Sequence, residues 1–378
     1  AAVLLLIADG IAVLMLSGRG LLVPGLRRGA AGLAVALAAL VLVSLLWWVA
    51  SGAFVNAFFT TSNWIFSGRD LQDKPGVEQP ASTLRSGSEA SLVGFDTLGR
   101  QGRSFVSSGP TAAEIDELTG GGALEPIRAY VGLRSAETLE ERADLLLAEL
   151  VRTGAFEREV LVVATTTGTG FLDPRGVDPL EYMWNGDTAI AGVQYSYLPS
   201  WISLLADQDV VQETSRVVFR TIHDHWSTLP SGERPELYLY GLSLGSYGIE
   251  AVLSSADILN EPVDGALMVG PTFVNSMHAE LTGARQEGSP AWLPVVGEGR
   301  TVRFMNEQGG LERGDARWGP TRLVYLQHGS DPVVFFDQTL TLYEPAWLRG
   351  ERAPDVVERM AWYPIVTAWQ VLLDMPAA

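Results

Sequence analysis

Apolar and polar residues alternate in blocks along residues 121–378, and the blocks have the lengths and periods of strands and helices. Short apolar runs predict buried strands, because the strands of a parallel sheet are covered on both faces. Strands that alternate with helices predict an α/β fold with a mostly parallel central sheet. The predicted strands are 127–131, 160–164, 188–195, 236–240, 263–269 and 322–327. The predicted helices are 135–153, 210–226 and 247–259.

Residues 1–54 follow a different pattern. Residues 29–54 contain no charged residue and are long enough to cross a hydrocarbon core of roughly 30 Å. Residues 1–17 form a second apolar run, broken by Asp9. We therefore expect two transmembrane helices in residues 1–54. Because the chain begins at Ala rather than Met, we also expect further membrane sequence before it.

Arginines lie between the two apolar runs, at positions 19, 27 and 28. The positive-inside rule places this loop in the cytoplasm and the domain after the second run on the extracytoplasmic side of the cytoplasmic membrane. Trp47 and Trp48 suit the far interface. The competing interpretation is a signal peptide, with Arg27 and Arg28 as its charged region and cleavage after the tryptophan pair. Residues 55–120, rich in Gly, Ser and Thr, are interpreted as a connector that wraps onto the domain formed by residues 121–378.

Charge and composition exclude several classes of function. The net charge is −18, and residues 1–68 carry +2, so the rest of the chain carries about −20. An acidic domain argues against nucleic acid as a partner. The absence of cysteine excludes disulfides, thiolate metal sites and cysteine nucleophiles.

The most informative motif follows the strand predicted over 236–240. Gly241-Leu242-Ser243-Leu244-Gly245 is a G-x-S-x-G pattern between that strand and a predicted helix. In this context the pattern predicts a nucleophile elbow, in which a serine stands on a sharp turn and small flanking residues let the turn close. The same letters also occur in ordinary Gly-rich turns, so the flanking strand and helix give the motif its weight.

The groups that would assist Ser243 can be sought at the ends of the other strands. The backbone N–H of Leu244 is one predicted oxyanion donor, and the loop Gly168-Thr169-Gly170 after an early strand is the other. Asp331 follows the last predicted strand, where a catalytic acid is expected. Two further acidic residues follow turn-like sequence and are interpreted as turn residues: Asp173 and Asp187.

The general base is harder to assign. A catalytic histidine is expected after the acid, but no histidine follows His328. His328, three residues before Asp331, is the preferred base, and His278 is the alternative base. His223 and His225 flank an aspartate, but side chains at i and i+2 diverge around a helix, so we expect no metal site there.

Several stretches together resemble the membrane-anchored α/β-hydrolase family typical of actinobacteria, which joins N-terminal membrane helices to a hydrolase domain. The matching stretches are SLVGFDTLGRQGRSFV from Ser91, EPIRAYVGL from Glu125, TTTGTGFLDP from Thr165, NGDTAI from Asn185, QYSYLPSWISLL from Gln194, GLSLGSYG from Gly241, GSPAWLP from Gly288 and YLQHGSDPVV from Tyr325.

The resemblance implies an α/β-hydrolase fold, a serine nucleophile at Ser243 and functional weight on residues 328–331. The chain departs from the family pattern at two positions. Leu242 stands where the family often has Glu, which argues against an acidic neighbour of the nucleophile. His278 stands where the family often has Trp, which argues against a family-wide base there.

These observations predict a membrane-anchored serine hydrolase or acyltransferase of the cell envelope. We expect Ser243 to attack an ester-type carbonyl of a small-molecule or lipidic substrate and to form an acyl-enzyme, with the bilayer as a further partner and no cofactor or metal. The missing late histidine suggests an alternative, a non-catalytic hydrolase-fold module that binds an envelope lipid or a partner protein. Residues 270–320, a long insertion rich in Gly and Pro, are candidates for a lid.

Overall fold

A computed structural model describes residues 24–255, 258 and 261–375 of the chain. The chain forms two compact units, residues 1–64 and residues 65–378. The second unit carries the sheet and every site residue predicted above.

The first helix within the described residues, α1, runs from Pro24 to Arg69 without a break. Arg27 and Arg28, predicted to lie in a loop, are inside this helix, and Arg19 lies outside the described residues. The predicted second span, residues 29–54, forms only the middle of this helix. The helix begins earlier, at Pro24, and continues to Arg69. The predicted first span, 1–17, also lies outside the described residues. No helix in the described part of the chain combines the length and the apolar character needed to cross a bilayer, so the transmembrane prediction is not supported.

A parallel sheet forms the centre of the second unit. Within the described residues it has seven strands in the order β1-β3-β2-β4-β5-β7-β6, and every neighbouring pair is parallel. This confirms the predicted α/β class with a mostly parallel central sheet. The strands are β1 Ile127–Val131, β2 Val160–Thr165, β3 Thr188–Val193, β4 Glu236–Leu242, β5 Gly265–Val269, β6 Val302–Met305 and β7 Arg322–Leu326.

Helices flank the sheet and cover its buried apolar strands. β1, β2 and β3 are buried along almost their whole length, which explains why β2 and β3 consist almost entirely of apolar and small residues. The α-helices whose bounds fall within the described residues after α1 are α2 Gly99–Ser107, α3 Ala112–Thr119, α4 Leu139–Thr153, α5 Pro174–Met183, α6 Ser200–Ala206, α7 Gln208–Thr228, α8 Leu244–Leu253, α9 Ser276–Gly283, α10 Pro332–Phe335 and α11 Val366–Asp374.

Side-chain caps decide where some of these helices begin. The Thr138 hydroxyl accepts a hydrogen bond from the Glu141 N–H, and the Glu141 carboxylate accepts one from the Thr138 N–H. This capping box satisfies two N–H groups that the first turn leaves without partners. Helix α4 therefore begins at Leu139 instead of at residue 135, the start that the apolar spacing predicts.

Strand β6 was not predicted from the sequence. It has four residues, pairs only with β7 at the edge of the sheet, and lies in the segment interpreted as an insertion. Its buried residue is Phe304, whose ring stacks on Tyr325 of β7 at a centroid distance of 5.0 Å. Part of the candidate lid is therefore an integral edge of the sheet.

Candidate active site

Ser243 lies at a sharp turn between β4 and α8. Strand β4 ends at Leu242 and α8 begins at Leu244, so Ser243 alone makes the change of direction. Its backbone angles are φ 53° and ψ −119°, a combination that residues other than glycine rarely adopt. A strained backbone of this kind persists only where the surroundings hold it, and it occurs preferentially at functional sites. The turn has the geometry that the G-x-S-x-G motif predicts.

The two glycines of the motif are required by close packing. A Cβ atom on Gly241 would lie 2.4 Å from the backbone of Gly245, and a Cβ on Gly245 would lie 2.4 Å from the carbonyl oxygen of Thr165. Neither glycine has a positive φ. The small residues are therefore needed because the elbow closes against its own backbone and against the end of β2.

Replacement of Gly245 by alanine is expected to lower the free energy of unfolding by about 1–3 kcal/mol, because the methyl group would overlap the Thr165 carbonyl. In an open helix the same change usually stabilises a protein by about 0.4–1 kcal/mol. Gly283→Ala in α9 is the matched control, because a Cβ there would meet no atom within 4 Å. Urea denaturation of both variants measures the difference, and equal stability of the two would contradict the packing argument.

Hydrogen bonds fix the elbow to the neighbouring strand β5 and to the loop that follows it. The Ser243 N–H donates to the carbonyl of Val269 (2.8 Å). The Ser246 hydroxyl donates to the Ser243 carbonyl (2.6 Å) and accepts from the side-chain amide of Asn275 (3.2 Å). The strained residue is thus held from both sides.

Glu250 connects the same helix to two other segments. Its buried carboxylate accepts hydrogen bonds from the N–H groups of Met277 and His278, both at 3.0 Å, and from the Tyr325 hydroxyl at 2.8 Å. Burial raises the pKa of Glu250, and these hydrogen bonds offset part of that effect. Helix α8, the start of α9 and strand β7 are therefore joined at one side chain.

A cavity of about 510 Å³ opens at Ser243. Its walls are mainly apolar and come from the strand ends, α6 and the C-terminal helix α11. The apolar side chains that line it are Phe171, Trp201, Leu204, Leu205, Leu242, Leu244, Phe273, Val333, Leu372 and Met375. The other lining residues are Thr167, Asp173, Arg175, Ser200, Ser243, Gly270 and Asp331. Such a cavity suits a substrate with a substantial apolar part.

Asp331 lies in the same cavity as Ser243. It caps helix α10, with Oδ1 accepting from the N–H of Val333 at 2.8 Å and of Val334 at 3.4 Å. Its Oδ2 points towards Gly270, since a Cβ on that glycine would be 3.6 Å away. Burial raises the pKa of Asp331, and the two backbone hydrogen bonds counteract this only in part. The structure therefore brings the predicted nucleophile and the predicted acid to one wall.

The two histidines considered as bases are not among the residues that line this cavity. His328 pairs through Nδ1 with the Glu307 carboxylate (2.8 Å), and its side chain is 53% exposed. The Nε2 of His278 donates to Gln327 Oε1 (2.6 Å), and its ring packs against Tyr325. Burial lowers the pKa of His278 to about 4, so its ring is neutral at pH 7.

The remaining two histidines, His223 and His225, lie on helix α7 and are likewise absent from the cavity wall. The Nε2 of His223 contacts the backbone carbonyl of Glu261 (2.8 Å). The ring of His225 packs against Phe156 at a centroid distance of 4.5 Å. Both side chains thus have packing roles in α7.

The predicted oxyanion donors differ in their availability. Leu244 is the first residue of α8, where N–H groups have no partner within the helix. By contrast, the Gly168 N–H donates to the Tyr195 hydroxyl (2.8 Å) and the Gly170 N–H donates to the Thr167 carbonyl (3.2 Å). The Thr169 hydroxyl accepts a hydrogen bond from Gln101 (3.2 Å) and does not line the Ser243 cavity.

Thr167 directly precedes the predicted oxyanion loop and is not among the three residues predicted to donate from it. It lines the cavity, and its hydroxyl is a buried group with no hydrogen-bond partner among the described residues. Such a hydroxyl can donate to an oxygen atom of a bound substrate. The only signal in the sequence was the threonine run that precedes Gly168.

Asp173 also lines the cavity, together with Arg175. Its side chain caps α5 and pairs with Arg175 at 2.8 Å. The turn role predicted for Asp173 therefore describes its hydrogen bonds but misses its position on the cavity wall. Asp187, the other acidic turn residue, accepts from the Glu159 N–H (3.2 Å), away from the cavity.

Two family models match the chain. A family model described as "Alpha/beta-hydrolase family" matches residues 127–378, which include the whole sheet, Ser243 and Asp331. A second model, described as "Alpha/beta-hydrolase family N-terminus", matches residues 1–110. No curated protein matches the chain.

Proposed function

The chain belongs to the alpha/beta-hydrolase family, and on that premise we propose that it is a serine hydrolase that cleaves an ester-type substrate through an acyl-enzyme at Ser243. Family membership supports hydrolase activity in general. The observation that carries the finer proposal is the strained Ser243 turn at the wall of a cavity that also contains Asp331. The apolar walls of that cavity favour an acyl chain as the part of the substrate that is bound there.

In the acylation step, Ser243 Oγ forms a bond to the carbonyl carbon while Asp331 takes the hydroxyl proton. The carbonyl oxygen becomes an oxyanion and accepts hydrogen bonds from the Leu244 N–H and the Thr167 hydroxyl. The bond from carbon to the leaving oxygen then breaks, and Asp331 returns its proton to the departing alcohol. Water then attacks the carbonyl carbon of the acyl-enzyme, and Asp331 again takes the proton and returns it to the departing Ser243 oxygen. This second step releases a carboxylic acid and restores Ser243.

Asp331 is preferred to His328 as the proton acceptor for two reasons. Asp331 is on the cavity wall, whereas His328 is half-exposed and paired with Glu307. Burial also raises the pKa of Asp331. A carboxylate with a raised pKa is a stronger base than an ordinary aspartate.

The pH profile of kcat/KM for a neutral ester is expected to rise through a pKa above the ordinary aspartate value of 3.8, because Asp331 must be ionised to accept the proton. Asp331→Asn is expected to lower kcat/KM by about 100-fold to 10,000-fold and to abolish this acidic limb. His328→Gln is expected to stay within about threefold of the wild type and to keep the limb. Steady-state kinetics between pH 4 and 9 measure all three proteins.

The opposite assignment has a distinct signature. An acidic limb that persists in Asp331→Asn but disappears in His328→Gln would make His328 the base and Asp331 its orienting acid. Circular dichroism of each variant establishes that the loss of activity is not a loss of fold.

The absence of histidine from the described cavity wall also favours a second function, a hydrolase-fold module that binds an apolar ligand without cleaving it. A fluorophosphonate probe separates the two functions, because it reacts covalently only with an activated serine. Binding of a fluorescent fatty acid to a folded protein that neither reacts with the probe nor hydrolyses esters would support the binding module.

A further inference from the structure

A second cavity, of about 390 Å³, adjoins the Ser243 cavity. The two cavities share Thr167, Phe171 and Ser200 as wall residues. The far side of the second cavity comes from the end of α1, the turn that follows it, and α2. A molecule bound at Ser243 could therefore extend past Thr167 into this second space.

The second cavity is basic. Arg69, Lys74 and Arg100 line it, and Asp70 is the one acidic residue among the lining residues described. Asp70 is itself neutralised, because its carboxylate pairs with Arg134, which lies behind the wall, at 2.6 Å. The three cations are thus in excess, although the chain as a whole carries a net charge of −18.

The Asp70 carboxylate holds this wall in place. Oδ1 accepts from the backbone N–H of Arg100 (3.0 Å) and from the side-chain amide of Gln194 (3.1 Å). The same Gln194 amide donates to the carbonyl of Thr169 (3.0 Å), in the loop between the two cavities. The basic wall and the Thr167 loop are therefore connected through buried and partly buried hydrogen bonds.

Lys74 is the only lysine in the sequence. Its Nζ donates to the neutral Ser104 hydroxyl (3.3 Å) and lies 5.7 Å from the centre of the Phe171 ring. Burial, and then the positive charge of Arg100, lower the pKa of Lys74. Two cations held near each other at a partly desolvated position favour an anion between them, since it would relieve both effects.

We infer that the basic cavity binds an oxyanionic group of the substrate, a phosphate or a carboxylate, while the acyl chain of the same substrate occupies the apolar Ser243 cavity. This inference rests on the proposed hydrolase function and specifies its substrate class. The substrate is an acyl ester whose alcohol portion carries the negative group. Lys74 and Arg100 donate charge-assisted hydrogen bonds to that group, and Arg69, at the exposed rim, attracts it electrostatically.

The first test compares three octanoyl esters, of glycerol phosphate, of glyceric acid and of glycerol, which carry a phosphate, a carboxylate and no charge. We expect kcat/KM for one or both anionic esters to exceed that for the neutral ester by about tenfold or more, because a hydrogen bond to a charged group contributes about that factor. The better of the two anionic esters identifies the oxyanion. Equal values for all three esters would overturn the inference.

Variants locate the source of the preference. In Lys74→Gln, the kcat/KM for the anionic ester divided by that for the neutral ester is expected to fall by about fivefold to tenfold. Lys74→Arg keeps the positive charge, so most of the preference for the anionic ester should be retained. Arg359→Gln, an exposed arginine outside both cavities, is the matched control. A ratio that is unchanged in Lys74→Gln but lost in Arg175→Gln would place the anion in the Ser243 cavity instead and refute the inference.

A binding measurement separates this inference from the proposed catalysis. The Ser243→Ala protein is treated with trinitrobenzenesulfonate, which modifies amines and therefore only Lys74 and the chain terminus. We expect glycerol phosphate or glycerate to slow modification of Lys74 at concentrations that leave the terminal amine unaffected, as followed by peptide mass spectrometry. Protection of Lys74 would uphold the anion site even if the wild-type protein hydrolysed none of the three esters and the hydrolase proposal failed, and the absence of protection by either anion would refute the site.

Discussion

Replacement of Ser243 by alanine is expected to lower kcat for ester hydrolysis by about 10,000-fold or more. The reason is that Ser243 forms the covalent bond to the acyl group. Without its hydroxyl, Asp331 has no nucleophile to deprotonate and the acyl-enzyme cannot form. Reaction with a fluorophosphonate probe should disappear in the same variant. Hydrolysis of a neutral octanoyl ester and labelling of the purified protein measure the two effects.

Two serines line the cavity, which provides a sharp control. Ser200→Ala is expected to keep the labelling and most of the activity, because Ser200 begins helix α6 with no strained turn. Ser254→Ala is a second control, because it makes the same substitution at the opposite end of α8, where the Ser254 hydroxyl donates to the Glu250 carbonyl. Labelling that survives in Ser243→Ala would show that another residue reacts, and an unchanged kcat would remove Ser243 from the mechanism.

The largest expected loss of stability comes from Arg128 in β1. Its guanidinium is fully buried and donates to both carboxylate oxygens of the fully buried Glu181, at 2.9 and 2.6 Å. It also donates to the Phe105 carbonyl (2.9 Å) and pairs with Asp178. Arg128→Met would leave the Glu181 charge buried without a partner, which typically lowers the free energy of unfolding by about 3–5 kcal/mol.

A second substitution tests this explanation. Arg128→Met combined with Glu181→Leu is expected to recover most of the lost stability, because the buried charge is removed together with its partner. Arg175→Ala is the control for an exposed ion pair, since the Arg175 side chain is 90% exposed, and it should change stability by less than about 1 kcal/mol. Urea denaturation measures the free energies. A double variant as unstable as Arg128→Met would mean that lost packing, and not the buried charge, dominates.

Most of the sheet could be predicted because its inner strands are apolar on both faces. Val160–Thr165 is an example, since it is buried at five of its six positions and lies between two parallel neighbours in the sheet. Strand β6 could not be predicted in this way. It has four residues, includes Arg303 and has one partner, so neither its length nor its pattern distinguishes it from the loops around it.

The candidate site was partly predictable for a related reason. Ser243 directly follows β4, Asp331 lies in the loop that follows β7, and the ends of parallel strands meet at one edge of a sheet. The environment of His328 could not be read in this way, because its partner Glu307 comes from the segment after β6. The basic cavity combines residues from four distant segments, and no spacing rule connects them.

The hydrogen bonds of Glu250 have a consequence for the engineering of substrate range. The segment from Thr272 to His278 contributes Phe273 to the cavity, so it would be an obvious target for transplantation from a relative. Yet Glu250, on the nucleophile helix, anchors its last two residues, and Asn275 within it contacts Ser246 of the elbow. This segment is therefore not an interchangeable module. A graft that alters its backbone would also disturb the turn that presents Ser243, whereas Trp201 and Leu205, on a separate helix, can be varied independently.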